Sequence, residues 1–169
     1  MGDKSAGTEL VRGEMRTMSP ASHWHACVGG RIAGALSAFV RAGDLGEVSS
    51  SEPGFLLATA PDTVLAPDVA FVRSKRIPGQ WGDGYFHGPP DIAVEVLSPG
   101  DRMPAVRRKV ALWLRHGTRS VWVVNPKRRT VTVHGADGSV ASFGGDDVLT
   151  DAVLPGFRGV VDSLFPPSA

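Results

Sequence analysis

The chain has 169 residues, which is the size of one ordinary domain and is enough to bury a substantial core. Apolar residues make up 42% of it and charged residues 21%, and no apolar run approaches the roughly 20 residues that cross a bilayer. Cys27 is the only cysteine, which excludes an intrachain disulfide and a thiolate-based zinc cage.

The N-terminal residues 1–16 are polar and charged and lack the apolar core of a secretory signal. We therefore expect a cytoplasmic protein without membrane contact. It should form a single domain over residues 1–169, with flexible ends at 1–7 and 166–169.

The net charge of +1 hides an asymmetry. Residues 101–130 contain nine Lys or Arg and one acid, whereas residues 137–162 contain five Asp and one Arg. The basic block is a candidate surface for phosphates, and a merely solvated face is the open alternative.

The predicted elements begin with a hairpin at 8–18 that turns at Gly13. A helix follows at 23–42, with Ser22 as its N-cap and Gly43 as its end, and a second helix is predicted at 104–116. Strands are predicted at 45–48, 54–58, 67–72, 91–97 and 120–125, with a C-terminal hairpin at 130–134 and 139–143, and little structure beyond 148. This order predicts an α/β fold, a mixed sheet flanked by helices.

A stretch at 74–90 is rich in Gly and Pro and has no predicted element. Loops of this length inside compact domains are commonly functional or mobile. Trp81 and Tyr85 lie in it, and they either stack on nucleic-acid bases or pack on their own domain.

Three ionisable residues occupy positions where the pattern requires apolar ones. Asp68 lies in the predicted strand PDVAFV, and Glu95 lies in the middle of DIAVEVL, where a buried carboxylate must be paired or bind a metal. Lys109 falls on or beside the apolar stripe of the second helix, from which its ammonium can reach the neighbouring strands. A buried ion pair is one interpretation. Two acids against one cation favour the other, a hard divalent cation that binds phosphate.

The segments that carry these residues resemble the Uma-two family of restriction-type endonucleases, within the PD-(D/E)XK nuclease superfamily. The similarity runs from about Glu9 to Leu164 and rests on five motifs in this order: ELVRGEM, PDVAFV, PPDIAVEVLSPGDR, SVWVVNPKRRTVTV and DAVLPGF. The resemblance implies a restriction-endonuclease-like fold and hydrolysis of phosphodiester bonds in DNA that depends on Mg²⁺, for which Mn²⁺ is expected to substitute.

The resemblance also assigns roles to residues. It implies that Asp68 and Glu95 bind the metal and that Lys109 stabilises charge or activates water. At Leu97 the superfamily pattern has Lys, so the helix is expected to supply the ammonium.

Two further residues are candidates for accessory roles in the site. His25 matches a His at the helix start in the family. It either contacts a phosphate or a metal-bound water, or only caps the helix and packs against the protein. Glu52 is a candidate third acid, whereas Glu9 and Glu14 are expected to be exposed hairpin residues.

The partner implied by the resemblance is nucleic acid, with Arg102, Arg107 and Arg108 facing its phosphates. DNA is expected, although RNA is not excluded by the sequence. A homodimer is plausible because duplex-cutting enzymes of this fold commonly pair. A nuclease-like module that binds nucleic acid or a protein without cutting remains the alternative.

Overall fold

The computed structural model describes residues 8–17, 22–80 and 82–167. Within them lie two α-helices, α1 (His23–Ala42) and α2 (Met103–Arg115), and 3₁₀ turns at Ser74–Arg76 and Val161–Leu164. The strands in chain order are β1 Thr8–Val11, β2 Glu14–Thr17, β3 Gly46–Ser50, β4 Phe55–Ala58, β5 Thr63–Leu65, β6 Val69–Arg73, β7 Phe86–His87, β8 Ile92–Val96, β9 Ser120–Asn125, β10 Thr130–Gly135, β11 Val140–Gly144, β12 Val148–Leu149 and β13 Gly159–Val160.

A six-stranded mixed sheet, in the order β11-β10-β9-β8-β6-β3, forms the centre of the fold. β8 lies between β6, with which it pairs antiparallel, and β9, with which it pairs parallel. A second sheet has the order β2-β1-β5-β4-β7, and β12 pairs with β13. The predicted mixed α/β fold with an N-terminal and a C-terminal hairpin is confirmed.

The two faces of the central sheet bury different partners, because successive side chains of a strand point to opposite faces. One face, which includes Val69, Ile92 and Val94, packs against α1 and the C-terminal segment. The other face, which includes Ala70 and Ala93, packs against α2 and the five-stranded sheet. The near-continuous apolar runs of β6, β8 and β9 follow from this double coverage.

α1 forms where the sequence predicts it. The Ser22 hydroxyl accepts a hydrogen bond from the His25 backbone N–H at 3.2 Å, which caps the first turn. Val28, Ile32 and Leu36 recur at helical spacing and are fully buried.

The expectation of little structure beyond residue 148 is wrong. Besides β12, β13 and a 3₁₀ turn, this segment contributes fully or nearly fully buried side chains to the α1 side of the core: Leu149, Leu154, Phe157, Val161, Leu164 and Phe165. Their irregular spacing follows neither the helical nor the strand period, which is why the pattern did not reveal them. Strand β5 was also not predicted, since it has only three residues.

Candidate active site

Glu95 lies in β8 and points to the face that packs against α2. Its side chain is 12% exposed. The Trp113 indole N–H donates to Oε1 at 2.7 Å, and Lys109 Nζ lies 2.8 Å from Oε2. Burial raises the pKa of Glu95 to about 7, and the charge of Asp68 adds to this against the opposing effect of Lys109. The carboxyl is therefore poised to ionise near neutral pH.

Lys109 has a partner for each of its three N–H groups. Nζ lies 2.8 Å from Glu95 Oε2 and 2.8 Å from Glu9 Oε1, and it donates to the Ala66 carbonyl at 3.3 Å. Burial lowers the pKa of Lys109, but the charges of Glu95 and Glu9 outweigh it and leave the pKa above its usual value. The ammonium therefore stays charged and holds two carboxylates together.

Glu9 is the residue that the sequence interpretation placed wrongly. It was expected on an exposed hairpin face, yet it is 6% exposed, and its Oε1 also accepts the Ala66 N–H at 3.1 Å. β1 pairs with β5 of the same sheet, which carries Glu9 next to Ala66. Its alternation with the buried Val11 was the signal that could have revealed it. Glu14 is exposed, as expected.

Asp68 immediately precedes β6, rather than lying inside the strand as predicted. Its backbone N–H donates to the Val94 carbonyl at 3.0 Å, and its Oδ2 accepts the Val96 N–H at 2.7 Å. Asp68 therefore lies at the start of β6 and is fixed to β8 by two hydrogen bonds, one from its backbone N–H and one to its carboxylate.

His25 occupies the first turn of α1 and contacts Asp68. Nε2 lies 2.8 Å from Asp68 Oδ1, and Nδ1 lies 3.2 Å from Ser98 Oγ. The hydrogen bond to Asp68 raises the pKa of His25 against the opposing effect of burial, and the charges of Asp68, Asp101 and Glu52 raise it further. The contact between Ser98 and His25 was not predicted from the sequence.

The residues thus form two connected clusters. The first, the lysine cluster, consists of Glu9, Glu95, Lys109 and Trp113 on the α2 side. The second, the histidine cluster, consists of His25, Asp68 and Ser98 at the start of α1. They join at the end of β8, where Asp68 binds the N–H of Val96, the residue after Glu95.

The remaining predicted site residues lie on the surface. Glu52 is exposed, and only its charge reaches His25. Arg102, Arg107 and Arg108 are exposed at the N-cap and on the outer side of α2, so they are accessible to a partner.

The donor chemistry of the two clusters limits which metal could bind. In the portions of the chain that the structure describes, no three His, Cys, Asp or Glu side chains are grouped so as to hold a metal ion. Asp68 and Glu95 offer two carboxylates. Mg²⁺ commonly takes one or two carboxylates and completes its octahedron with waters and substrate phosphates, so this set fits Mg²⁺. It does not fit a closed structural zinc site.

No helix in residues 8–17, 22–80 or 82–167 has the length and apolar character needed to cross a membrane.

Comparisons with known proteins agree with this geometry at the level of family and fold. A comparison with curated proteins gave no match. The crystal structure of a protein from Anabaena variabilis, described as "a putative nuclease belonging to DUF820", is similar with a TM-score of 0.82 and 19% identity, over 98% of this chain and 93% of that one. The Uma2 family, described as "Putative restriction endonuclease", matches residues 4–162. The chain therefore belongs to the Uma2 family.

Proposed function

We propose that the chain is a nuclease that uses Mg²⁺ to hydrolyse phosphodiester bonds in DNA. Membership of the Uma2 family supports the class of activity. The observation that carries the proposal is that Asp68, just before β6, is hydrogen-bonded to the backbone of Val94 and Val96, the two residues that flank Glu95 on β8. Lys109 is bound directly to Glu95.

The charge balance around Glu95 supports a cation site. Lys109 is the only cation that binds Glu95 or Glu9 among the contacts of the described residues, so two carboxylates share one positive charge. Asp68 adds a third acid nearby. A buried excess of negative charge is unfavourable, and a divalent cation between Asp68 and Glu95 would remove that cost.

Asp68 and Glu95 are the residues that would hold Mg²⁺. When bound, the ion supplies Lewis-acid stabilisation of the phosphate and lowers the pKa of a bound water. Mn²⁺ is expected to substitute, since it prefers similar oxygen ligands.

The protein's own groups would orient the carboxylates. Trp113 and Lys109 each hold one oxygen of Glu95, and the Val96 N–H and His25 each hold one oxygen of Asp68. Groups fixed in this way need little reorganisation as charge develops. His25 Nε2 also places a proton at Asp68 Oδ1 whenever the imidazole is protonated. Lys109 stabilises negative charge across the site.

The substrate would reach the site past the surface of α2. Arg102, Arg107 and Arg108 are exposed there, and we assign them to the phosphates of the duplex, an interaction that weakens steeply with salt. A homodimer, in which each copy cuts one strand, belongs to the same proposal.

One observation favours the alternative of a silent module that binds nucleic acid or a protein partner. All three N–H groups of Lys109 already have protein acceptors, as in a purely structural ion pair. In the silent module, Lys109 would compensate the two acids and no metal would bind.

The deciding experiment is incubation of supercoiled plasmid with the purified protein and Mg²⁺, beside an Asp68→Ala variant and an EDTA control. We expect nicking that requires Mg²⁺ and disappears in the variant. A parallel titration of Mg²⁺ should raise the Tm of the native protein and leave that of Asp68→Ala unchanged. Absence of both effects in the native chain would support the silent module.

A further inference from the structure

A cavity of about 680 Å³ lies between the segment that precedes β7 and the central sheet, and none of the candidate active-site residues lines it. Its size is typical of sites for small organic groups. Phe55, Val72, Ile77 and Phe86 give it apolar walls, and Tyr85 lies at its rim. Neither the lysine cluster nor the histidine cluster accounts for this space.

Tyr85 is the exposed aromatic residue of this cavity. Its side chain is 57% exposed. The ring packs on Gly54, where an added Cβ would overlap it. One part of the ring is thus held against backbone while the rest remains free for a planar ligand.

The segment that carries Tyr85 is fixed to the sheet rather than loosely attached. The Phe86 N–H donates to the Gly54 carbonyl at 3.0 Å, and the Gly88 N–H donates to the Leu56 carbonyl at 2.8 Å. The Arg76 guanidinium lies over the Phe86 ring and donates to Asp91 and to the Pro89 carbonyl. The aromatic surface is therefore organised before any ligand arrives.

The cavity shares a sheet face with the candidate active site. Val72, which lines it, lies on the same face as Ala70 and four residues from Asp68, roughly 13 Å along the strand. Ser49 and Glu47, opposite Ala70 and Val72 on β3, also line it. Inside, Phe55 meets Trp113 with ring centroids 6.2 Å apart, and Trp113 binds Glu95.

The charges of the lining favour a neutral ring over a phosphate. Both terminal nitrogens of Arg76 already donate within the protein, to Asp91 and to the Pro89 carbonyl, and Glu47 contributes a negative charge to the lining. The Glu47 carboxylate and the Ser49 hydroxyl can accept hydrogen bonds from the amino groups of a base, whereas a phosphate would be repelled by Glu47.

We propose that this cavity binds one unpaired nucleobase, stacked on Tyr85, of the same nucleic acid strand that lies at Asp68 and Glu95. The inference rests on the proposed function, since it takes a nucleic acid to be the ligand of the neighbouring site. It adds a base-binding site to the phosphate contacts of the arginines. A stacked base in a fixed cavity would influence where along a strand the protein cuts.

The test uses single-stranded oligonucleotides that carry 2-aminopurine, in EDTA, with the full chain. We expect binding to quench the fluorescence of 2-aminopurine at one position. Tyr85→Ala should abolish this quenching and weaken binding by roughly fivefold or more, the effect of losing one stacked base. Tyr85→Phe should retain both, because it keeps the ring.

A second variant and a control complete the experiment. Gly54→Ala, which displaces the Tyr85 ring without removing it, should reduce quenching, whereas Val140→Ala, an exposed substitution on β11, should not. Equal quenching by the native chain and Tyr85→Ala would overturn the inference. EDTA stops cleavage during the fluorescence assay, so base binding is measured separately from nicking. If the native chain shows Tyr85-dependent quenching in EDTA but does not nick plasmid in Mg²⁺, only the proposed nuclease activity is contradicted.

Discussion

The two ends of β8 each carry an acid in a buried setting, yet their surroundings differ. At the start, Asp91 is 2% exposed and paired with two guanidiniums, those of Arg73 at 2.7 Å and Arg76 at 3.1 Å. At the other end, Glu95 shares the single ammonium of Lys109 with Glu9. Asp91 thus has two cations for one negative charge, whereas Glu95 and Glu9 together have one cation for two negative charges, which is a deficit of positive charge.

We expect this difference to separate a structural acid from a functional one. Asp91 joins the start of β8 to the last residue of β6, because it also accepts the Arg73 backbone N–H at 3.0 Å. Its charge is fully compensated by the protein. Glu95 has only the ammonium that it shares with Glu9, and its burial raises its pKa to about 7. We expect a ligand to complete the second site but not the first.

The largest expected effect is on catalysis. Glu95→Gln keeps the shape of the side chain but removes the charge that would hold Mg²⁺, so plasmid nicking should fall by about 1000-fold, the scale of several kcal/mol of metal stabilisation. Initial nicking rates, measured beside the Tm of both proteins, check this. If Glu95→Gln nicks plasmid at the native rate, Glu95 has a structural role like that of Asp91.

The matched change at the other end should act on stability instead. Asp91→Ala leaves two guanidiniums without their carboxylate and removes the bond to the Arg73 N–H, so the free energy of unfolding should fall by about 4 kcal/mol. Urea unfolding measures this. Nicking per folded molecule should stay within twofold of native, and a loss comparable with that of Glu95→Gln would abolish the distinction between the two acids.

The pH dependence of stability tests the deficit of positive charge around Glu95 directly. Its pKa is raised from 4.5 in the unfolded chain to about 7, so the folded state binds more protons between these values. Stability from this group is therefore fully present below pH 4.5 and is lost as pH rises through 7, by up to roughly 3 kcal/mol. The raised pKa of His25 acts in the same direction at higher pH.

Urea unfolding at pH 5 and pH 8 without metal, on the native chain and Glu95→Gln, isolates this contribution. The native chain should lose more stability than the variant over that interval. Identical losses would mean that Glu95 is ionised throughout.

The acids of this comparison were only partly predictable from sequence. Strand period and burial revealed Glu95, because a charge in an otherwise apolar run is anomalous. Lys109 followed from the helical period of α2. The fold class and both helices followed from the same two periods, since long amphipathic or apolar segments give strong local signals.

The missed features depend on contacts between distant segments. Glu9 reaches Lys109 only because β1 pairs with β5 in a separate sheet, and His25 reaches Ser98 across 73 residues. In β1 the alternation of Glu9 with Val11 was the one local signal, and four residues make such a signal weak. The C-terminal segment fills the core beneath α1 without any periodic pattern.

A substitution at Glu9 should therefore have an effect on nicking of intermediate size. Glu9→Gln leaves Lys109 with one carboxylate, so the ammonium should bind Glu95 more strongly and lower its pKa, and the orientation of Glu95 should change slightly. Positioning residues of this kind typically change metal affinity or activity by roughly 10-fold to 100-fold, and we expect the lower value. The measurement is the Mg²⁺ concentration for half-maximal nicking, which should rise about 10-fold while the fold is retained. An unchanged value would limit Glu9 to a structural role.

The smallest effect is expected at Glu52, the acid that the sequence suggested as a third site residue. Its carboxylate is exposed, and its influence on the described residues reaches the site only as a charge that raises the pKa of His25. Exposed charges are screened by water and salt, so Glu52→Gln should change the nicking rate by less than about twofold. The pKa of His25, followed by NMR, should fall only slightly. A loss of nicking approaching that of Glu95→Gln would instead make Glu52 a ligand that moves inward when metal and substrate bind. Glu52 would then join Glu9, Glu95 and Asp68 as a fourth acid around the single ammonium of Lys109, and the contrast with Asp91 would be larger.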